Sequence, residues 1–394
     1  MHRREFLKSS ATGALAFGAW PIFAAEDSPL NEHRISALEF RSVKLLWPRH
    51  VGRNAVLGHH GRGPTASVCI LKTDRGAIGW GHHQSSRNAA EDLKDRVVGQ
   101  PVASLIDPKQ GITKADWHPI DVPLHDLAGN ILGQPVWKML APDRAEPFVT
   151  KVYSGMIYFD DLDPAEKPAG IDKILENCQA DVKHGYRQLK VKIGRGHKWM
   201  PAEAGLKRDI DVARAIHEAF PKIEILVDAN NGYTVETAIR FLEGIQGIPL
   251  FWFEEPFHET VEDWKRLASW MKANGYEKTY RADGEARTDF AVIEKLTKGL
   301  TLNLRLDDIC GYGFSKWRKL MPKLKEQKVA ASPHTWGSGL KTVYTAHFAG
   351  AVGNHPTIEG VTCGDDDVDF GENKIVEGQF QPSTKPGFGL TLKS

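Results

Sequence analysis

The sequence predicts an α/β protein in which a parallel (β/α) barrel follows a smaller α+β domain. Three observations predict it. Eight strand-like apolar runs recur between Phe148 and Val361, separated by stretches of helical periodicity such as 204–220. Acidic residues close three successive runs, Asp228 in Glu-Ile-Leu-Val-Asp, Glu254 in Leu-Phe-Trp-Phe-Glu and Glu285 in Ala-Asp-Gly-Glu, at intervals of 26 and 31 residues. Each interval holds one strand, one loop and one helix, so parallel strands bring the three carboxylates to one rim, where barrels gather their catalytic residues. The competing open, doubly wound sheet normally shows a Gly-rich phosphate loop after its first strand, and neither that fingerprint nor a Walker sequence is present.

The chain opens Met-His-Arg-Arg-Glu-Phe-Leu-Lys and continues into an uncharged, Ala- and Gly-rich stretch to Phe23. Residues 1–25 read as a twin-arginine export signal removed near Ala24 or Ala25, with a periplasmic or secreted destination expected. The apolar stretch is shorter than the roughly 20 residues that span a bilayer core, and no later one is longer, so no stable membrane insertion is expected. Lys and Arg number 51 against 50 Asp and Glu, with no basic run, which argues against a nucleic-acid partner. A composition 41% hydrophobic and 26% charged is that of a globular chain with a substantial core. Cys69, Cys178, Cys310 and Cys363 have neither Cys-x-x-Cys nor zinc-finger spacing and read as single buried thiols.

Residues 26–147 form the smaller domain. Within it 35–46 and 65–80 alternate apolar and polar residues and suggest an antiparallel hairpin or meander joined by a long loop. The segment 87–145 is mostly helical, and Asp-Leu-Ala-Gly-Asn-Ile-Leu-Gly-Gln-Pro from Asp126 ends a helix on glycine and proline. The barrel occupies 148–368, with runs centred on 148–157, 187–194, 224–229, 249–254, 279–283, 300–306, 328–332 and 356–361. The Gly- and Pro-rich residues 369–394 lie beyond it and are expected to pack back on the first domain.

Oxygen-only ligands with the charge of Asp228, Glu254 and Glu285 suit Mg2+, with Asn230 and Glu255 placed to orient them and Asp283 an alternative third ligand. Lys190 and Lys192 stand two apart on one strand and share a face. Neighbouring ammonium groups beside a divalent cation disfavour each other's protonation, so at least one pKa is expected to fall, equipping that lysine as a base. Asp307 and His334 end neighbouring strands 27 residues apart. A carboxylate on one imidazole nitrogen fixes the tautomer and raises basicity, giving a second acid/base group, and Asp308 offers the rival alignment one residue later. Glu359 reaches the same mouth as a protonated acid able to hydrogen-bond a substrate carboxylate. The loop from His50 to Arg62, with His59, His60 and Arg62, is expected to close over the mouth, and its polar, cationic side chains suit a hydroxylated acid. His82 and His83 form a second candidate lid segment.

Lys-x-Lys at 190 and 192, Val-Asp-Ala-Asn at 227–230, Trp-Phe-Glu-Glu-Pro at 252–256, Gly-Glu at 284–285, Asp307 and His334 together resemble the mandelate racemase branch of the enolase superfamily. Residues 126–136 resemble that family's capping-domain signature and 386–390 its C-terminal signature. The resemblance implies a modified TIM barrel under an N-terminal α+β capping domain completed by the C-terminal segment, and often a homo-oligomer. It implies Mg2+ on Asp228, Glu254 and Glu285, and removal of the proton next to a substrate carboxylate. Lys192 and His334 then face opposite sides of the substrate carbon, with Lys190 tuning Lys192 and Asp307 orienting His334. Two opposed bases permit dehydration of a sugar acid to a 2-keto-3-deoxy acid, the favoured reading. They also permit racemisation, epimerisation or cycloisomerisation of a hydroxy acid. A secreted sugar-acid-binding protein without turnover is the reading from another class.

Overall fold

The computed structural model describes residues 28–84, 87–285, 288–364 and 366–393, with the side chains of 87–91 left aside. The leader expected over 1–25 lies outside the described residues. Among those residues no helix is long and apolar enough to cross a membrane.

The smaller domain begins with Ile35–Lys44, paired antiparallel with Thr65–Thr73, which pairs in turn with Ile78–His82. The alternating run at 65–80 is therefore two strands, split by a turn at 74–77 where Gly76 takes φ +82°. Helix Asp121–Leu132 packs on the third of these strands and ends on Gly133 in the left-handed conformation. One carboxylate ties three segments together: Asp126 accepts from Trp80 N at 2.9 Å and from Phe388 N at 2.8 Å. The C-terminal segment does not pack on the cap alone, however. Its hairpin, Lys374–Val376 with Gln379–Gln381, adds antiparallel to the first barrel strand.

The barrel strands, numbered one to eight, are Thr150–Ile157, Gln188–Lys192, Glu224–Asp228, Leu250–Glu254, Tyr280–Asp283, Leu304–Arg305, Ala330–Ala331 and Ile358–Gly360. Strands one to seven pair in sequence order and in parallel, and strand eight pairs with strand one, Glu359 opposite Tyr153. Helices follow the first seven strands, from Ile171–His184 to Gly339–Val352. Strand eight departs from strict repetition, because the chain leaves it for the C-terminal segment rather than a helix. Thr234, Thr260 and Asp289 cap three of the helices by accepting from backbone N–H groups of the first turn, which fixes where each helix starts beyond its strand. The fold is thus a modified TIM barrel with a capping domain. Tyr153, Leu226, Trp252, Ala282, Leu304 and Leu306 fill the barrel interior and leave its C-terminal end to polar groups.

Two buried histidines make this packing sensitive to acid. His347 lies within helix Gly339–Val352, and His82 meets the Ser338 cap of that helix, Nε2 to Oγ 2.9 Å. Burial pushes both imidazoles down to about 3, with the Lys341 charge a further cause at His82. In the unfolded chain they titrate near 6.5. The unfolded state therefore binds the extra protons, and the contribution is complete above pH 6.5 and lost as pH falls toward 3. These two groups contribute a slope of about 3 kcal/mol per pH unit inside that window, and His355, which burial also pushes down to about 3, adds to it. Buried acids such as Asp126, pushed up to about 7, and Asp283, to about 8, oppose this in the total. The difference between wild-type and His347→Gln urea melts from pH 7 to 4 therefore isolates the term, with a slope about 1.4 kcal/mol per pH unit lower in the variant. An unchanged slope in both His347→Gln and His82→Gln would refute the assignment.

Candidate active site

Side chains alternate across a strand, so residues two positions beyond the interior fillers point into the mouth. Leu226 leads to Asp228, Trp252 to Glu254 and Leu306 to Asp308. Strand five needs a different device, because Asp283 lies out of phase with Ala282. Gly284 has φ +127°, a conformation that side chains strain to adopt, and there the chain turns to bring Glu285 to the mouth. Asp283 faces away, accepts from Trp264 Nε1 at 2.9 Å and is pushed by burial to about 8. It is not a member of the acidic cluster. Asp228, Glu254 and Glu285 each place an oxygen within 4.8 Å of the others.

The two strand-two lysines do share the interior face, and both are buried. Lys190 Nζ lies 2.9 Å from Glu254 Oε1, 3.4 Å from Asp228 Oδ2 and 3.2 Å from Glu359 Oε1. Lys192 Nζ bonds Asp228 Oδ2 and stands 5.2 Å over the Tyr158 ring. On the other side, His334 Nδ1 is 2.5 Å from Glu285 Oε2 and 3.3 Å from Glu359 Oε2. Glu359, which also accepts from Thr335 N at 2.7 Å, thus bridges the lysine and histidine sides. Asn230 N donates to Asp228 Oδ1 at 2.8 Å, and its side-chain amide reaches Glu255 Oε2 at 3.5 Å.

Burial raises the Asp228 carboxyl, but Lys192 and Lys190 outweigh it and the net shift is downward. Burial and then the Asp228 charge hold Glu254 well above its usual range. Glu285 is driven below its range because His334 overcomes its burial. The expectation of a depressed lysine fails at Lys190: burial lowers it, yet Glu254 and Glu359 raise it well above the ordinary lysine value. Lys190 faces carboxylates as well as its neighbour, and the carboxylates dominate. His334 is raised by Glu285 and Glu359 against its burial.

The Asp307 carboxylate does not orient the His334 ring; only the Asp307 carbonyl meets that residue, accepting from His334 N at 3.2 Å. The Asp307 side chain alternates to the helix side of strand six, where Arg305 Nε donates to its Oδ2 at 2.8 Å. Asp308 is the acidic residue beside the histidine: the two pair backbone to backbone, and each charge shifts the other. The lid loop is tied to the barrel. Arg49 grips Asp181 through both terminal nitrogens at 2.5 and 2.8 Å, and Trp199 Nε1 donates to Asn54 O at 2.6 Å. Of the three loop residues expected to meet substrate, only His60 turns inward, packing on Tyr158 and Trp336. His59 pairs with Arg53 and Asp163 on the outside, and Arg62 is exposed. His82 and His83 are no lid either, since His82 is buried on Ser338 and His83 bonds Ser67 at 2.6 Å.

Sequence reasoning passed over Tyr158, stacked on Trp336 at 4.7 Å, and Lys341, whose Nζ lies 2.6 Å from Asp308 Oδ2. A signal for Lys341 exists, because it is the only acidic, lysine or arginine residue in Gly339–Val352. Gly155 is a further dependency. A Cβ there would sit 2.6 Å from Glu359 Oε1. Gly155→Ala is expected to displace that carboxylate and cost about 10- to 100-fold in turnover. Near wild-type turnover from a variant with an intact melt would show that Glu359 need not stand there.

Residues 173–394 match the Enolase C-terminal domain-like family. Arabinonate dehydratase of Saccharolobus solfataricus is 27% identical over 298 residues, 74% of this chain and 73% of that one. D-galactarolactone cycloisomerase of Agrobacterium fabrum is 25% identical over 311 residues, 73% and 75% of the two chains. A galacturonate dehydratase from Geobacillus sp., crystallised with D-galacturonate and 5-keto-4-deoxy-D-galacturonate, superposes with TM-score 0.83 at 28% identity, covering 92% of this chain and 95% of that one. The same enzyme in a mutant form was crystallised with Mg, at TM-score 0.84, 28% identity and coverage of 92% and 93%.

Proposed function

Because the chain belongs to the enolase superfamily, we propose that its barrel mouth removes the proton next to the carboxylate of a sugar acid and dehydrates it to a 2-keto-3-deoxy acid. The observation that carries this is the pairing of two proton-transfer groups, Lys192 and His334, on opposite flanks of one carboxylate cluster. A binding protein has no need of both. The dehydratase relatives at 27–28% identity support sugar acids as the substrate class.

The cluster fits a hard divalent cation. Its donors are all oxygens, and Glu254 Oε2 is buried with no hydrogen-bond partner among the described residues, an acceptor left for a ligand. Asp228, Glu254 and Glu285 would hold Mg2+, which supplies fixed positive charge for the oxygens on which charge develops and offsets the carboxylates that now retain the Lys190 proton. One of Lys192 and His334 takes the α-proton, and the C–H electron pair becomes a C=C bond. The other donates a proton as the C–O bond to the neighbouring hydroxyl breaks, so that water leaves and the enol becomes the ketone. Lys190 and Glu359, joined at 3.2 Å, hold the lysine pair and the histidine in one charge network. A second reading, cycloisomerisation or epimerisation with the same groups, is favoured by the cycloisomerase relative.

Incubating the protein and Mg2+ with aldonic, aldaric and uronic acids in deuterated water tests both readings. Keto-acid formation is expected. Deuterium uptake with stereochemical or ring change and no keto acid would replace dehydration by the second reading. We also read residues 1–25 as an export leader that places the enzyme outside the cytoplasm. Fractionation should then find an Arg3→Lys, Arg4→Lys variant retained inside, and equal export of that variant would refute the leader.

A further inference from the structure

Lys341 occupies the first turn of helix Gly339–Val352, where the helix dipole disfavours a cation, and its side chain is only 18% exposed. Burial and dipole both work against an ammonium at that position. One partner compensates: Nζ lies 2.6 Å from Asp308 Oδ2. The other oxygen of Asp308 accepts from Cys310 N at 2.9 Å and Gly311 N at 2.6 Å, so three donors fix this carboxylate. Asp308 is in register with His334, and Ile309 N donates to His334 O at 3.1 Å. The next residue of the helix, Thr342, donates to Glu359 O at 3.1 Å. One helical turn therefore contacts both strand ends that carry the histidine side of the mouth. An ion pair kept for stability alone would gain little here, because desolvating both charges offsets their attraction.

We propose that Lys341 is a positioning residue: by pinning Asp308 it fixes a negative charge beside His334 and so sets how the imidazole meets the substrate carbon. The role rests on the proton-transfer function proposed above. The Asp307 carboxylate does not take this place, because Arg305 holds it on the far face of the strand.

The test uses the Mg2+-loaded full-length protein with whichever sugar acid the wild type turns over. Lys341→Met is expected to lower kcat about 10- to 100-fold, with KM changed by less than about threefold. Asp308→Asn should match it, and the double variant should be no worse than the weaker single one, because both remove the same coupling. Lys341→Arg should recover most of the loss. Calorimetry should find Mg2+ affinity unaltered in Lys341→Met, separating positioning from a damaged metal site. Wild-type kcat in folded Lys341→Met, a loss in KM alone, or fully multiplicative losses in the double variant would overturn the role. If Lys341→Met does not fold, Asp308→Asn and Lys341→Arg decide it: an unimpaired Asp308→Asn overturns it, and an impaired Asp308→Asn with a near-normal Lys341→Arg supports it. A wild type that neither turns over nor exchanges any sugar acid would instead refute the function on which the role rests.

Discussion

Lys192→Met and His334→Asn should each lower kcat by about 10²- to 10⁴-fold, the range for losing a positioned acid or base. The two losses should differ in kind. With the proposed division of roles, the variant lacking the group that takes the α-proton should lose hydrogen exchange with solvent. The variant lacking the proton donor should retain exchange while failing to release water. Mass spectrometry of recovered substrate after incubation in deuterated water reads this directly. Full turnover in either folded variant would remove that residue from the mechanism. Both side chains are partners of the clustered carboxylates proposed to hold Mg2+, Lys192 of Asp228 and His334 of Glu285, so Mg2+ affinity must be measured alongside.

Removing the cluster's capacity for a cation should have an effect of similar size. Glu254→Gln discards one of three charged donors, and the lost electrostatic stabilisation should cost about 10²- to 10³-fold in kcat. Stability reports the same event without turnover. Protein freed of metal with a chelator should melt at a lower temperature, and Mg2+ at a hundred times its Kd should restore about 2.7 kcal/mol. The pH dependence has a definite sign. Burial and the Asp228 charge hold Glu254 above its usual range, so protons compete with Mg2+ for that carboxylate and affinity should weaken as pH falls. A melting temperature indifferent to both chelator and Mg2+ would show that these three carboxylates hold no cation.

Much of this was legible in the chain itself. Runs of strand residues repeating with helical stretches are local signals, and all eight predicted runs contain barrel strands. The metal candidates were readable for the same reason, since strand ends recur at the interval of one barrel unit. Lys190 and Lys192 shared a face because a strand permits nothing else. Phase was harder. Leu304, Leu306 and Asp308 alternate inward, which a strict period of two would have indicated, but the distance of 27 residues to His334 favoured Asp307. The loop residues were least readable, because only the seating of 49–62 against Asp181 and Trp199 decides that His60 enters and His59 does not.

What the sequence determined by itself was the repeat: which segments become strands and helices, and which carboxylates, lysines and histidine end them. Those depend on covalent alternation and residue type. Tertiary structure alone decided which acidic neighbour joins each charge. Gly284 at positive φ selects Glu285 over Asp283, the inward phase of strand six selects Asp308 over Asp307, and Lys341 reaches the mouth from a helix 33 residues further on. Charges interact through space, with a strength set by distance and burial, and neither quantity is written in the order of the residues.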